Sequence, residues 1–172
     1  MCSADFHGGK LVDHLSSIFV AAGVPLNKVV LEVTETVSMG DADQVVSRQI
    51  RAVRELGVRI ALDDFGTGFA SLTHLMTVPF DVLKIDKSFV DRLAGDSVSR
   101  AIVEGVLHIA RELNVEVVAE GVESAEQAGL LAAAGCKLAQ GYWFAAPVDV
   151  ETATRLLARQ NQQPAAKYDR AR

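Results

Sequence analysis

Cysteine is scarce in this chain: its 172 residues contain two, Cys2 and Cys136, far apart and in no C-x-x-C pattern. That argues against a disulfide framework and fits free thiols in a reducing compartment. Long hydrophobic runs are missing as well. No apolar stretch approaches the ~18 residues of a membrane span, and no basic start leads into the apolar segment of a signal peptide. A soluble, cytoplasmic chain without membrane insertion is expected. There is no excess of positive charge: 17 Lys and Arg face 22 Asp and Glu, for a formal net charge of −5. A nucleic-acid polymer, whose backbone needs a basic patch, is not the expected partner, and a smaller phosphate ligand would need metal ions for much of its attraction. The histidines, His7, His14, His74 and His108, form no H-x-x-x-H pair and read as satisfied or surface side chains. HGGKL at 7–11 lacks the spacing of a P-loop and reads as a turn, and there is no G-x-S-x-G elbow.

What is present is globular composition, 49% hydrophobic and 23% charged, with enough length for one domain. Five short apolar runs rich in β-branched residues stand out: KVVLEVTE (28–35), VRIALDD (58–64), DVLKID (81–86), VEVVAEGVE (115–123) and KLAQGYWF (137–144). They are continuous rather than alternating, which suits strands of a parallel sheet buried on both faces. Helical patterns separate them. Val46, Ile50 and Val53 share a face before Gly57; Ile102, Val106, Ile109 and Leu113 share another; Leu11, Leu15, Ile18 and Ala22 form an N-terminal stripe. SLTHLM at 71–76 is a brief helical piece, Ser124 with Gln127 reads as a capping box, and Asp149 caps a last helix. The order is one helix followed by five β-α units, which implies right-handed crossovers and a parallel sheet, doubly wound or closed as a barrel. Residues 159–172 form a polar tail with the composition of disorder.

Polar residues interrupt nearly every strand near its C-terminal end: Glu32 and Glu35, Asp63 and Asp64, Lys84 and Asp86, Glu120 and Glu123, Gln140. Parallel strands bring those ends to one face, where barrel enzymes keep their chemistry. A lone charge buried in a two-sided strand costs several kcal/mol unless it is paired or metal-bound. For Glu35, Asp86 and Glu123 a helix cap or surface ion pair is also a sufficient account, and Gln140 could be a hydrogen-bonded core amide. Glu32 and Lys84, flanked by apolar residues, are harder to place in solvent. Asp63 and Asp64 could form an Asx turn into Gly66 and Gly68; as a pair beside further carboxylates they would repel one another unless a cation lay between them, and oxygen-only ligands suit Mg²⁺ or Mn²⁺ rather than zinc.

Asp64-Phe65-Gly66 has the letters of the kinase magnesium triplet, but no H-R-D-x-x-x-x-N loop or glycine-rich phosphate loop accompanies it. Taken together, LEVTE (31–35), ALDDFGTGFASL (61–72), LKIDKSFV (83–90), VAEGVE (118–123) and QGYWFAAPV (140–148) resemble the consecutive motifs of the EAL domain, the bacterial cyclic di-GMP phosphodiesterase. The resemblance covers about residues 1–158. It implies a (β/α) barrel of the TIM type, and hydrolysis of cyclic di-GMP to pGpG with two Mg²⁺ or Mn²⁺ ions. It also implies roles: Glu32, Asp63, Asp64 and Glu120 as metal ligands, Lys84 positioning or deprotonating the attacking water, Gln140 contacting substrate, and Glu35 supporting the loop that couples dimer contacts to metal binding. Gly66 and Glu123 would support that loop.

The Glu-Ala-Leu motif that names the family occurs nowhere in the chain, and Met1-Cys2-Ser3 stands where the family carries a ligating asparagine. The expectation is an incomplete barrel, about five of eight β-α units, truncated at its N-terminus, with catalysis weakened or lost. Unpaired sheet edges would favour a homodimer, another oligomer or a protein partner. A noncatalytic signalling module that binds a partner or the nucleotide is the alternative.

Overall fold

In the computed structural model of the protein, the described residues are 6, 9–34, 43–66 and 79–162. The apolar runs become five parallel strands in sequential order: β1 (Val30–Thr34), β2 (Arg59–Phe65), β3 (Val82–Ile85), β4 (Glu116–Ala119) and β5 (Leu138–Ala139). Between them run α1 (Leu11–Ala21), before β1; α2 (Asp43–Glu55); α3 (Lys87–Arg92) and α4 (Ser97–Glu112), both between β3 and β4; α5 (Ala125–Ala133); and α6 (Val150–Gln162). A single 3-10 turn at Leu26–Lys28 leads into β1.

Local chemistry sets the helix starts. Asp86 accepts the Ser88 N–H and opens α3, and Asp96 accepts those of Val98 and Ser99 and opens α4. The Ser124–Gln127 capping box forms in both directions at α5, and Asp149 accepts the Thr152 N–H at the start of α6. Each such cap satisfies orphan donors of the first turn and stabilises by about 1 kcal/mol.

The core lies between the sheet and the helices on one side of it. Val46, Ile50 and Val53 of α2 are fully buried and pack toward β2, as their spacing predicts. On α4 the predicted stripe is displaced: Ser99, Val103, Leu107 and Ala110 are buried, Val106 and Ile109 are half-buried, and Ile102 and Leu113 are exposed. Both stripes have helical spacing, and packing against α3 and β4 selects the smaller residues. On α1, Leu11 is buried and Leu15 half-buried, while Ile18 and Ala22 face solvent.

Burial on both faces holds only for the middle strands. β3 is buried at all four positions and β2 at most of its seven, whereas β1 reads exposed, buried, exposed, buried, half-buried, and β4 exposed, buried, half-buried, buried. Leu31, Val33, Val117 and Ala119 point to the helices; Val30, Glu32 and Glu116 point to an open face. The last strand is shorter than its apolar run because Gly141–Phe144 turns away after two paired residues. SLTHLM and residues 163–172 of the tail lie outside the described residues.

Candidate active site

Adjacent residues of a strand point to opposite faces, so Asp63 and Asp64 could not share a site in a regular ladder. The β2–β3 register resolves this. Leu62 pairs with Leu83 and Phe65 with Ile85, so two residues of β2 oppose the single residue Lys84 of β3. This bulge bends the strand and re-aims its side chains, with Asp64 in the left-handed region at φ 57°. Asp63 Oδ1 accepts the Asp64 N–H at 3.1 Å, which ties the pair together. At the exit, Gly66 has φ 95°, and a Cβ there would lie 2.7 Å from the Phe89 ring. Only glycine fits that turn.

Lys84 is the hub. Its ammonium lies 2.7 Å from Glu120 Oε1, 2.9 Å from Asp63 Oδ1 and 2.9 Å from Glu32 Oε1. Three strands and the residue following a fourth thus deliver one cation and three acids to a common point. The Lys84 side chain is only 9% exposed, while that of Glu32 is 50% exposed. Glu32 is the more solvated because it sits on the open face of an edge strand. Burial pulls the Lys84 ammonium down, but the hydrogen bonds it donates to Glu120, Asp63 and Glu32 outweigh this and hold it well above the usual lysine value. Burial pushes the Glu120 carboxyl up, and the charges of Asp63 and Glu32 add to this against the opposing pull of Lys84. Lys84 thus offsets part of the charge of Glu32, Asp63 and Glu120.

Gln140 donates from Nε2 to Glu120 Oε1 at 2.6 Å, so it belongs to the same network. Its backbone is clamped on both sides: Val122 N–H donates to Gln140 C=O, and Gln140 N–H donates to Ala119 C=O. Gly141 (φ 154°) sits so close to the Val122 backbone that a Cβ would collide with its carbonyl oxygen and nitrogen. Gly141 was not singled out from sequence; its signal was a glycine directly after the strand-end amide. Glu123 stands apart, 3.0 Å from Lys87, and no described contact joins it to the cluster. Asp86 serves as a helix cap. Glu35 lies outside the described residues.

One carboxylate oxygen each from Asp63, Asp64 and Glu120 lie within 4.8 Å of one another, a spacing that one hard divalent cation can span. Three hard oxygen donors, with no thiolate or imidazole among them, fit Mg²⁺ or Mn²⁺.

A family model described as EAL domain matches residues 1–147. The chain belongs to the EAL domain family. Among curated relatives, the cyclic di-GMP phosphodiesterase NbdA of Pseudomonas aeruginosa is 37% identical over 147 residues, 86% of this chain and 19% of that protein. Among solved structures, the PaMucR phosphodiesterase in complex with c-di-GMP matches with a TM-score of 0.82 at 36% identity, over 89% of this chain and 62% of that one. The manganese and cyclic di-GMP complex of Klebsiella pneumoniae BlrP1 matches with a TM-score of 0.73 at 33% identity, over 77% of this chain and 33% of that one. This EAL chain thus spans between 18% and 30% of the length of such curated relatives. Its five parallel strands, with the helices described between them, are part of a TIM-type barrel, as the sequence motifs predict. No helix among the described residues is long and apolar enough to cross a membrane.

Proposed function

We propose that this chain carries the metal-binding, lysine-bearing part of a cyclic di-GMP phosphodiesterase site, and that as an isolated chain it turns the nucleotide over weakly or not at all. The observation that carries the reading is the Lys84 hub, with Asp63, Asp64 and Glu120 gathered around a bulge at the C-terminal ends of parallel strands. Asp63, Asp64 and Glu120 would hold Mg²⁺ or Mn²⁺, with Glu32 contributing from β1. Bound there, divalent ions lower the pKa of water and offset charge on phosphate oxygens.

The chain's own groups do the rest. Lys84, beside Asp63 and Glu120, would orient or deprotonate the attacking water. Gln140 holds Glu120 in place and presents its amide to the substrate side of the cluster. Weak turnover follows from two features. The Glu-Ala-Leu glutamate is absent from the sequence. In addition, the ammonium already pairs with Glu32, Asp63 and Glu120, so a metal ion must compete with it for their oxygens.

The test is a Mn²⁺ titration of the purified chain followed by electron paramagnetic resonance. Weak binding that is lost in Asp63→Ala supports the reading; binding unchanged by that substitution refutes it. The alternative, a noncatalytic signalling module, is favoured by the same lysine-paired cluster. Cyclic di-GMP binding without pGpG formation would select it.

A further inference from the structure

The segment after β4 carries Glu120, and hydrogen bonds fix it from both sides. Glu120 N–H donates to Ile85 C=O at 3.0 Å, and Val122 N–H donates to Gln140 C=O at 3.0 Å. Between these points Gly121 turns through the left-handed region at φ 68°. The Lys87 side chain lies directly on that turn: a Cβ at Gly121 would stand 2.7 Å from Lys87 Cβ and Cδ, and closer still to Cγ. The atoms in contact include the root of the lysine chain, which moves only with the start of α3. That start is set by Asp86, which accepts the Ser88 N–H. Beyond the turn the Lys87 ammonium reaches Asp91 at 2.6 Å and Glu123 at 3.0 Å. Asp91 is one turn further along α3. Glu123 belongs to the loop itself, and its N–H donates to Gln127 Oε1 at 2.7 Å. Lys87 therefore crosses Gly121 and is anchored at both ends.

We propose that Lys87 is a positioning residue for the Glu120 carboxylate. Its stem holds the Gly121 turn in place, and its ammonium ties the same loop to α3. Held in this way, the loop aims Glu120 into the acid cluster and, through Val122, keeps the Gln140 amide on it. The inference rests on the reading of Asp63, Asp64 and Glu120 as divalent-cation ligands. Groups that orient a ligand from behind typically change metal affinity by roughly 10–100-fold without touching the ion. Stability is not what the ion pair supplies. The Lys87 and Glu123 side chains are 45% and 48% exposed, and pairs so exposed contribute little to folding. What the strap supplies is the direction of the residue beside Gly121.

The test is Mn²⁺ binding by the purified full chain, followed by electron paramagnetic resonance, beside thermal melts. Lys87→Ala removes stem and anchor and is expected to weaken Mn²⁺ binding about tenfold, whereas Lys87→Arg, which keeps both, should stay within about twofold of wild type. Tm should fall by less than about 4 °C in Lys87→Ala. Charge alone predicts the opposite sign, because losing a cation beside acids tightens the hold on a divalent ion. Asp96→Ala, which removes the cap of α4, controls for general loosening: it should lower Tm and leave Mn²⁺ binding unchanged. Weakening in Lys87→Ala with rescue in Lys87→Arg supports the strap. Unchanged binding in Lys87→Ala while Asp63→Ala abolishes it would overturn the strap and leave the metal site standing; unchanged binding in both would overturn the two together. Equal weakening in Lys87→Arg or in Asp96→Ala would also overturn the strap.

Discussion

Replacing Lys84 by methionine keeps the length of the side chain and removes its charge, which isolates the role of the ammonium. In the wild-type chain three carboxylates lie within 2.9 Å of Nζ, and the Glu120 and Asp63 side chains are only 17% and 19% exposed. Stripping a buried charge of its partner costs about 3–5 kcal/mol. The penalty here is smaller, because Glu32 is half in water and Glu120, already pushed up by burial, can take a proton. We expect a loss of about 2 kcal/mol in the presence of a chelator, which for a chain of this size lowers Tm by about 4–8 °C. Millimolar Mg²⁺ should then restore Lys84→Met more than it stabilises the wild type, because the divalent ion takes a place the ammonium has vacated. Saturation at a hundredfold excess over Kd corresponds to about 2.7 kcal/mol. Thermal melts by circular dichroism, with chelator and with Mg²⁺, measure both quantities. An unchanged Tm in chelator, or equal Mg²⁺ responses in the two proteins, would refute the idea that Lys84 occupies the position of a cation.

Three further outcomes follow from the geometry. Gly141→Ala drives a Cβ into the Val122 backbone and should cost about 3 kcal/mol, while also weakening Mn²⁺ binding because Gln140 leaves Glu120; a melt and a Mn²⁺ titration within error of wild type would count against the clamp. Ser124→Ala removes the capping box of α5 and should cost about 1 kcal/mol in urea denaturation, with Ser124→Gly milder. Burial pushes the Asp81 carboxyl up, but the Arg54 guanidinium and the Ile60 N–H outweigh it and hold it below the usual range. A depressed folded value contributes stability above the unfolded value and loses it as pH falls, so Arg54→Met should be less stable by up to about 1 kcal/mol at neutral pH. The two proteins should converge below about pH 3.9, and a constant gap down to pH 2 would contradict the assignment.

The elements and their order were legible in the sequence because β1 to β4 are runs rich in β-branched residues and α3 to α6 each start at a capping Asp or Ser. The site was legible because charges placed inside apolar strands can be tolerated only when they meet one another. What remained hidden depends on neighbours. Which stripe of α4 is buried was decided by α3 and β4, not by hydrophobicity along the helix. The one-faced burial of β1 and β4 reflects an open sheet, which continuous apolar runs do not reveal. The bulge opposite Lys84 has no mark in the letters ALDDFG beyond the two acids themselves, yet it is what allows consecutive carboxylates to share a site. Gly141 was overlooked because its constraint comes from the distant Val122 backbone.

The most direct test of the central claim is pGpG formation from cyclic di-GMP by the purified chain with Mn²⁺, run beside Asp63→Ala. The acid cluster already paired with Lys84, in a chain without the Glu-Ala-Leu glutamate, predicts turnover barely above that of the variant. Rapid, sustained turnover that disappears in Asp63→Ala would contradict it.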